Sequence, residues 1–440
     1  MNKKNIIISI IIVILIVLSF GSWKFLGLGF KKVSLKELDV PKWKTEQSIS
    51  NTNYTDYVDE YDIVRSTEGL KGAAKKYYSK YMDYAAPNGK PIRVLAMDKV
   101  TDEQLLYAYN MLSFYLKSND KIDKTAIANR MSETGATLIL PNGADRDGKI
   151  PMRAMMLGQN LNQKEISNVG SKWYMDCDYK HRDASFEEIF HMVHDYGIGT
   201  TKNPGADMEI SKIIADAMKN ASPTNKADFG KKGLWALGYG EMVKKWENEG
   251  SLEQEYIVSV IDSYYGLWEP WDASYIPPFY PANLGNDVKG GMWGGYVAKT
   301  REEVAQKDPV GKAALESFLP EYITQMMRID SSFDGEFVMT RDKDKPYTAK
   351  SQYLQCVSLT GTNDSSISAN TLDNILMVNS GTNTIDGKEG NDIVQFRGAS
   401  SEYTVEKKND VTVVTDSVQG RDGVNTLISI EVLRFTDKEM

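Results

Sequence analysis

Cysteine and histidine are the scarce residues of this 440-residue chain, with two of the first and three of the second. Cys177 and Cys356 could close one disulfide in an oxidising compartment. Their wide separation gives that pairing no geometric support, and two buried free thiols account for them equally well. Cys177 would be a metal ligand only if the fold bent it back toward the histidines that follow. Positive charge is not in excess either: 52 Lys and Arg stand against 60 Asp and Glu, a net charge of −8. Nucleic-acid binding wants a basic face, so no nucleic-acid partner is expected. Hydrophobic and charged fractions of 41% and 25% are ordinary globular values, and the length sets a prior of two to three domains with ample core.

The one long apolar run follows Lys3 and Lys4 and extends from Ile6 to Phe20, with Gly21, Ser22 and Trp23 behind it. That is about 18 residues, the lower range for a membrane span. No small-x-small cleavage site follows. The expectation is therefore a signal anchor over residues 1–32, with membrane contact through that helix and the bulk of the chain extracytoplasmic; cleavage and secretion are the second reading. Residues 33–90 read as a polar, Tyr-rich approach with helical stretches such as 72–84. At Pro91 a denser pattern begins: a strand from Ile92 to Met97, a helix from Thr101 to Lys117 with a Thr101/Gln104 capping box, a second helix from about Lys124 to Glu133, and a strand over Thr137–Leu140. Strand, two helices and strand suggest an α+β domain. Further helices are expected over Met208–Lys219 and Glu253–Tyr265. The aromatic, Pro- and Gly-rich stretch Trp268–Trp293 reads as an ordered loop.

Two of the three histidines fall in Glu187-Glu188-Ile189-Phe190-His191-Met192-Val193-His194; the third, His181, lies just upstream. At about 100° per residue, Glu187, His191 and His194 share one stripe of a helix, Glu188 projects from its flank, and Ile189, Phe190 and Val193 take the other side. An imidazole-and-carboxylate stripe on a buried helix is half a metal site. It also reads as His-Glu-x-x-His with the first histidine replaced by Glu187. Plain alternatives stand beside this reading. Glu187 and Glu188 could be first-turn carboxylates favoured by the helix dipole after a Ser185 cap. His191 and His194 could be hydrogen-bonded core residues, and Glu253 and Glu255 solvated helix carboxylates.

Past residue 355 the composition shifts to Asn, Thr, Ser, Gly and Asp, and a repeat can be counted. Ile367, Leu376, Ile385 and Val394 lie nine apart, and Ser365, Asn374, Asn383 and Asp392 keep the same step two residues earlier. This is the pattern of a parallel β-roll.

The C-terminal segment resembles the repeat-in-toxin nonapeptide family through Gly390-Asn391-Asp392 and Val394, then Tyr403-Thr404-Val405 and Ile428 to Phe435. The resemblance implies weak Ca²⁺ binding around Asn383, Gly387, Gly390 and Asp392, although only Asp392 keeps the liganding Asp; a metal-free roll is the alternative. Residues of about 92–330 resemble a bacterial zinc-metallopeptidase family with a downstream glutamate ligand. The match lies in Glu187 to Ile198, and in Glu255-Tyr256 followed by Tyr264-Tyr265. That resemblance implies Zn²⁺ held by Glu187, His191 and Glu255, with His194 as an alternative ligand and Glu188 as general base.

The fold expected is α+β: a zincin-like, mainly helical catalytic-type domain over 91–350 and a small all-β parallel roll with its tail over 355–440, behind an N-terminal transmembrane helix. The function expected is an exported zinc-dependent peptidase acting on peptide or protein through a metal-activated water. A catalytically inactive relative, or a cell-surface adhesion protein, is the alternative, because Glu187 stands where the family has histidine.

Overall fold

The computed structural model describes residues 57–145, 150–270 and 295–440. The anchor expected over 1–32 and nearly all of the aromatic stretch 268–293 lie outside those residues.

A short helix, α1 (Gly72–Tyr77), leads into strand β1 (Lys80–Ala85), which pairs antiparallel with β2 (Pro91–Ala96). The helix expected over 72–84 thus ends early. Tyr81 and Met82 are buried opposite Leu95 and Val94, and pairing with an apolar neighbouring strand overrides local helical spacing. Helix α2 (Asp102–Leu116) starts at the capping box of Thr101 and Gln104, and α3 (Thr125–Thr134) ends at Gly135 in the left-handed conformation. The chain then enters β3 (Thr137–Leu140), parallel to β2, and β4 (Gln159–Asn160), parallel to β3. The result is one mixed four-stranded sheet in the order β1-β2-β3-β4, with β4 at its edge.

Four helices build the central mass: α4 (Ser185–Val193), α5 (Met208–Ala221), α6 (Leu252–Tyr264) and α7 (Pro309–Glu316). Ile189, Phe190, Met192 and Val193 bury one side of α4. There Phe190 meets Tyr115 of α2 at 5.8 Å and Phe318 at 5.4 Å. Beyond Val193 the helix loosens into a π-helical turn over His194–Ile198, closed where the Gly199 N–H donates to the His194 carbonyl at 2.8 Å. Gly197 sits where a Cβ would come within 2.8 Å of both Ile127 and Met131 of α3, so its missing side chain lets the turn approach that helix closely.

The chain then winds between two further sheets. One takes β6 (Gly335–Val338), β8 (Ser365–Ser368), β10 (Thr382–Asp386) and β14 (Val424–Ile428) in parallel. The other takes β5 (Met327–Arg328), β7 (Cys356–Ser358), β9 (Ile375–Met377), β11 (Ile393–Gln395) and β15 (Val432–Arg434). Successive strands belong to opposite sheets, so the nine-residue step crosses the roll. Two steps return to the same sheet, as in Ile385 opposite Ile367 and Val394 opposite Leu376. All four aliphatics point into the roll and are at most 1% exposed. An antiparallel hairpin of β12 (Tyr403–Lys408) and β13 (Val411–Asp416) interrupts the coils and pairs with β14.

The expected fold is corrected in two respects. Among the described residues the chain is mixed α/β with three sheets, rich in parallel pairing, rather than a mainly helical domain with a small roll appended. Strands β5 and β6 escape a periodic reading because they are two and four residues long and are held by partners about 30 residues away. The membrane-spanning element has no counterpart among the described residues. Among the described residues no helix is long and apolar enough to cross a membrane. The longest of those named above, α2, has 15 residues, whereas a span needs about 20.

Candidate metal centre

Helix α4 does not begin on a Ser185 cap. Asp183 performs that role from outside, its Oδ1 accepting the Ser185 N–H at 3.0 Å, while the Ser185 hydroxyl is buried without a partner. Glu187 and Glu188 fall in the first turn and His191 one turn on. Helix α6 crosses α4, and Gln254 of α6 donates its side-chain amide to the His191 carbonyl at 3.4 Å.

This crossing brings one ligand atom each from Glu187, His191 and Glu255 within 4.8 Å of one another, a possible metal-binding group. It is the one such convergence of histidine, cysteine or acidic side chains among the described residues. His191 Nε2 is buried with no hydrogen-bond partner, the condition of an imidazole nitrogen with a lone pair to give. Glu187 is 8% exposed, and its Oε2 accepts from Arg182 Nη1 at 2.5 Å. Glu188 stands beside the group: its Oε2 accepts from Gln159 Nε2 at 2.6 Å and lies 3.8 Å from His191 Nδ1.

The electrostatics follow from burying several acids together. Burial foremost, then the charges of Glu187 and Glu165, hold Glu188 well above the usual carboxylate range. Burial, then Glu187 and Glu249, do the same to Glu255. Burial lowers His191 and keeps it neutral near pH 7 despite Glu187 and Asp195. Tyr239 faces the same cluster, its phenol pushed far up by burial and by Glu187 and Glu255, with Arg182 opposing.

The remaining sequence candidates go elsewhere. His194 is fully buried, its ring 5.4 Å from Phe190, and it is not part of the converging group. His181 stacks on Trp173 at 3.9 Å and bonds Asp178 at 2.8 Å. Glu253 is buried, bonded by Thr201 at 2.7 Å. Cys177 and Cys356 are both free thiols.

In the roll, the residues considered for Ca²⁺ tie one coil to the next, and among their side chains only Asp392 Oδ2 is a buried oxygen without a partner. Asn383 donates to Asn425 Oδ1 at 2.8 Å and accepts from Ser365 N–H at 3.4 Å. Asp392 Oδ1 accepts the Asn374 N–H at 2.8 Å, and burial foremost raises its carboxyl to about 7. Gly387 and Gly390 sit where a Cβ would strike, respectively, Ser429 O and Leu372 O at 2.2 and 2.5 Å. These are spacing residues between coils. Nothing here shows calcium.

Arg182, Gln159 and Tyr239 carry no signal in the helical periodicity that singles out Glu187 and His191. Arg182 precedes the helix, Gln159 lies on a two-residue strand and Tyr239 just before another helix. Asp262, seven residues past Glu255 on α6, could have been noticed as a charge on an apolar stripe. It is buried, bonded by Trp268 Nε1 at 2.7 Å. No protein family, curated protein or solved structure matches this chain.

Proposed function

We propose that this chain is a zinc-dependent hydrolase of peptide bonds, with Glu187, His191 and Glu255 as the metal-holding residues and Glu188 as the group that moves the proton. The observation that carries the reading is the convergence of the three ligand atoms from two crossing helices, around an imidazole nitrogen that has no other partner. Two carboxylates and one imidazole are a donor set that Zn²⁺ accepts. When bound, the ion would polarise a carbonyl and make a water acidic enough to attack near neutral pH.

The chain's own residues supply the rest. His191 is neutral and therefore able to donate its lone pair. Glu188 sits next to the metal-holding residues without belonging to them, and its raised proton affinity suits a group that accepts a proton and returns it to a leaving amine. Gln159 fixes one oxygen of that carboxylate from the edge of the sheet, and holding the base in one orientation is worth part of the barrier. The resemblance of Glu187-Glu188-Ile189-Phe190-His191 to a peptidase helix supports the peptide bond as the substrate class.

The test is metal analysis of the purified protein with a Glu188→Gln variant beside it. Expected are about one zinc per chain in both and cleavage of peptide libraries by the wild type alone, the variant losing at least 10²-fold. A protein that takes up no divalent ion would end the proposal. Zinc bound with no cleavage by either form would leave a metal-binding, catalytically silent protein instead.

A further inference from the structure

The metal-holding group contains one more negative charge than a set of two imidazoles and one carboxylate would. That excess lies in a region already crowded with acid. Glu165 and Glu188 act electrostatically on one another and on Glu187, and Asp262 interacts with Glu187 from α6. Against them stands Arg182, whose guanidinium is paired with Glu187 at 2.5 Å, both side chains being largely buried at 14% and 11% exposed. Burial works to discharge it, but the charges of Glu187 and Glu165 prevail and keep it cationic.

We propose that Arg182 and Glu187 operate as one electrically neutral ligand unit, in which the guanidinium cancels the charge that Glu187 brings to the metal and fixes which carboxylate oxygen remains for it. The inference rests on the metal-binding reading given above. With Oε2 engaged by Arg182, Oε1 is the oxygen left less encumbered. An orienting partner of this kind behind a ligand sets both its direction and its donor strength. An ion pair that merely fastened the segment before α4 could be exchanged for apolar residues with little consequence for the metal. This one shares a carboxylate with the converging group. Arg182 is accordingly a positioning residue.

The proposal makes the effect of Arg182 depend on what stands at position 187. Beside a carboxylate the guanidinium orients and compensates; beside a neutral imidazole it is an unmatched cation next to a dication. The experiment is a double-mutant cycle in the full chain with Arg182→Met, Glu187→His and the double variant. Zn²⁺ affinity is read by competition with a chromophoric chelator, and the visible absorption of Co²⁺ reports the coordination. Expected is a reversal of sign. Arg182→Met alone weakens Zn²⁺ binding, whereas the same change on the Glu187→His background tightens it at least tenfold, about 1.4 kcal/mol. Arg182→Gln, which drops the charge but keeps a donor, repeats the measurement if the Met variant does not fold, and the same reversal is expected.

An Arg182 substitution that shifts affinity by the same factor on both backgrounds overturns the neutral-unit proposal while leaving the metal site standing. If none of the four proteins takes up Zn²⁺ or Co²⁺, the metal-binding reading falls and this proposal falls with it.

Discussion

His194 is an imidazole enclosed so completely that neither ring nitrogen finds a hydrogen-bond partner. Burial, and His191 beside it, drop its pKa to about 3. In the unfolded chain the same ring titrates near 6.5. Between those values the unfolded state binds a proton that the native state refuses. Stability from this residue is thus complete above about pH 6.5 and is lost as pH falls toward 3, at about 1.4 kcal/mol per pH unit. Replacing it by leucine, close in volume and with nothing to hydrogen-bond, should flatten that slope by one proton's share. It should also stabilise the protein at pH 7.5 by about 1 kcal/mol. Urea unfolding of the two proteins at pH 5 and pH 7.5 checks both figures, and parallel pH profiles would show that the ring is not the buried neutral group described. The same residue shows how far the sequence could be read. Glu187, His191 and His194 share a helical stripe, and periodicity alone places all three alike. What separates His194 is its surroundings: its ring packs against Phe190, while Glu187 and His191 meet Glu255 of the crossing helix α6, a partner invisible in local spacing.

At the scale of elements, helix α2 is the piece whose start and burial could be read most directly. The Thr101 and Gln104 pattern is a local signal, and both reciprocal bonds are present at 3.1 and 3.2 Å. Gln104 does more than cap. Its amide also donates to the carbonyls of Gln163 and Ile166 at 2.8 and 3.2 Å, tying α2 to the segment that leads out of β4. Gln104→Ala should therefore cost more than a cap. About 1 kcal/mol for the capping box and about 1 to 2 for the deprived carbonyls make about 2 to 3 kcal/mol. Thr101→Ala should lose only about 1 kcal/mol. Chemical denaturation of the pair distinguishes the two roles, and equal losses would mean that the long-range bonds are without weight. Those long-range bonds, like strands β1, β5 and β6, depend on segments brought together by the fold, which is why spacing along the chain does not reveal them.

For the molecule as a whole, one hydrophobic core runs from the four-stranded sheet through the helices into the roll, with Val94, Phe190, Tyr265, Phe337 and Val394 all members of it. The join is polar as well as apolar. Asn110 of α2 donates to the Met326 carbonyl at 3.1 Å, and the Asp330 N–H to the Val169 carbonyl at 2.7 Å. A shared core predicts a single cooperative unfolding transition, and the proposed zinc site predicts that this transition rises as one unit, by about 2.7 kcal/mol at a hundredfold excess of zinc over Kd. Scanning calorimetry with and without zinc tests this, and a roll melting separately from the metal-responsive part would contradict it. The nine-residue step along the roll was legible because each coil repeats one inward aliphatic. The union of that roll with the helical part was not, because its contacts link residues as far apart as 110 and 326.

The hairpin of β12 and β13 bears on how the protein behaves in company. A parallel coil ends in open backbone amides and carbonyls, an invitation to stack the coil of another molecule on top and so to grow fibres. Here the hairpin lies across β14 in the opposite sense and presents Glu406, Lys407 and Lys408 along the new edge. In the other sheet, Arg434 at the end of β15 bridges antiparallel to Glu439, and Leu433 and Met440 exchange both backbone bonds. Both sheets are thereby tied off at the β14 and β15 end by chain running against the coil, which takes away the open parallel edge that another copy's coil would extend there.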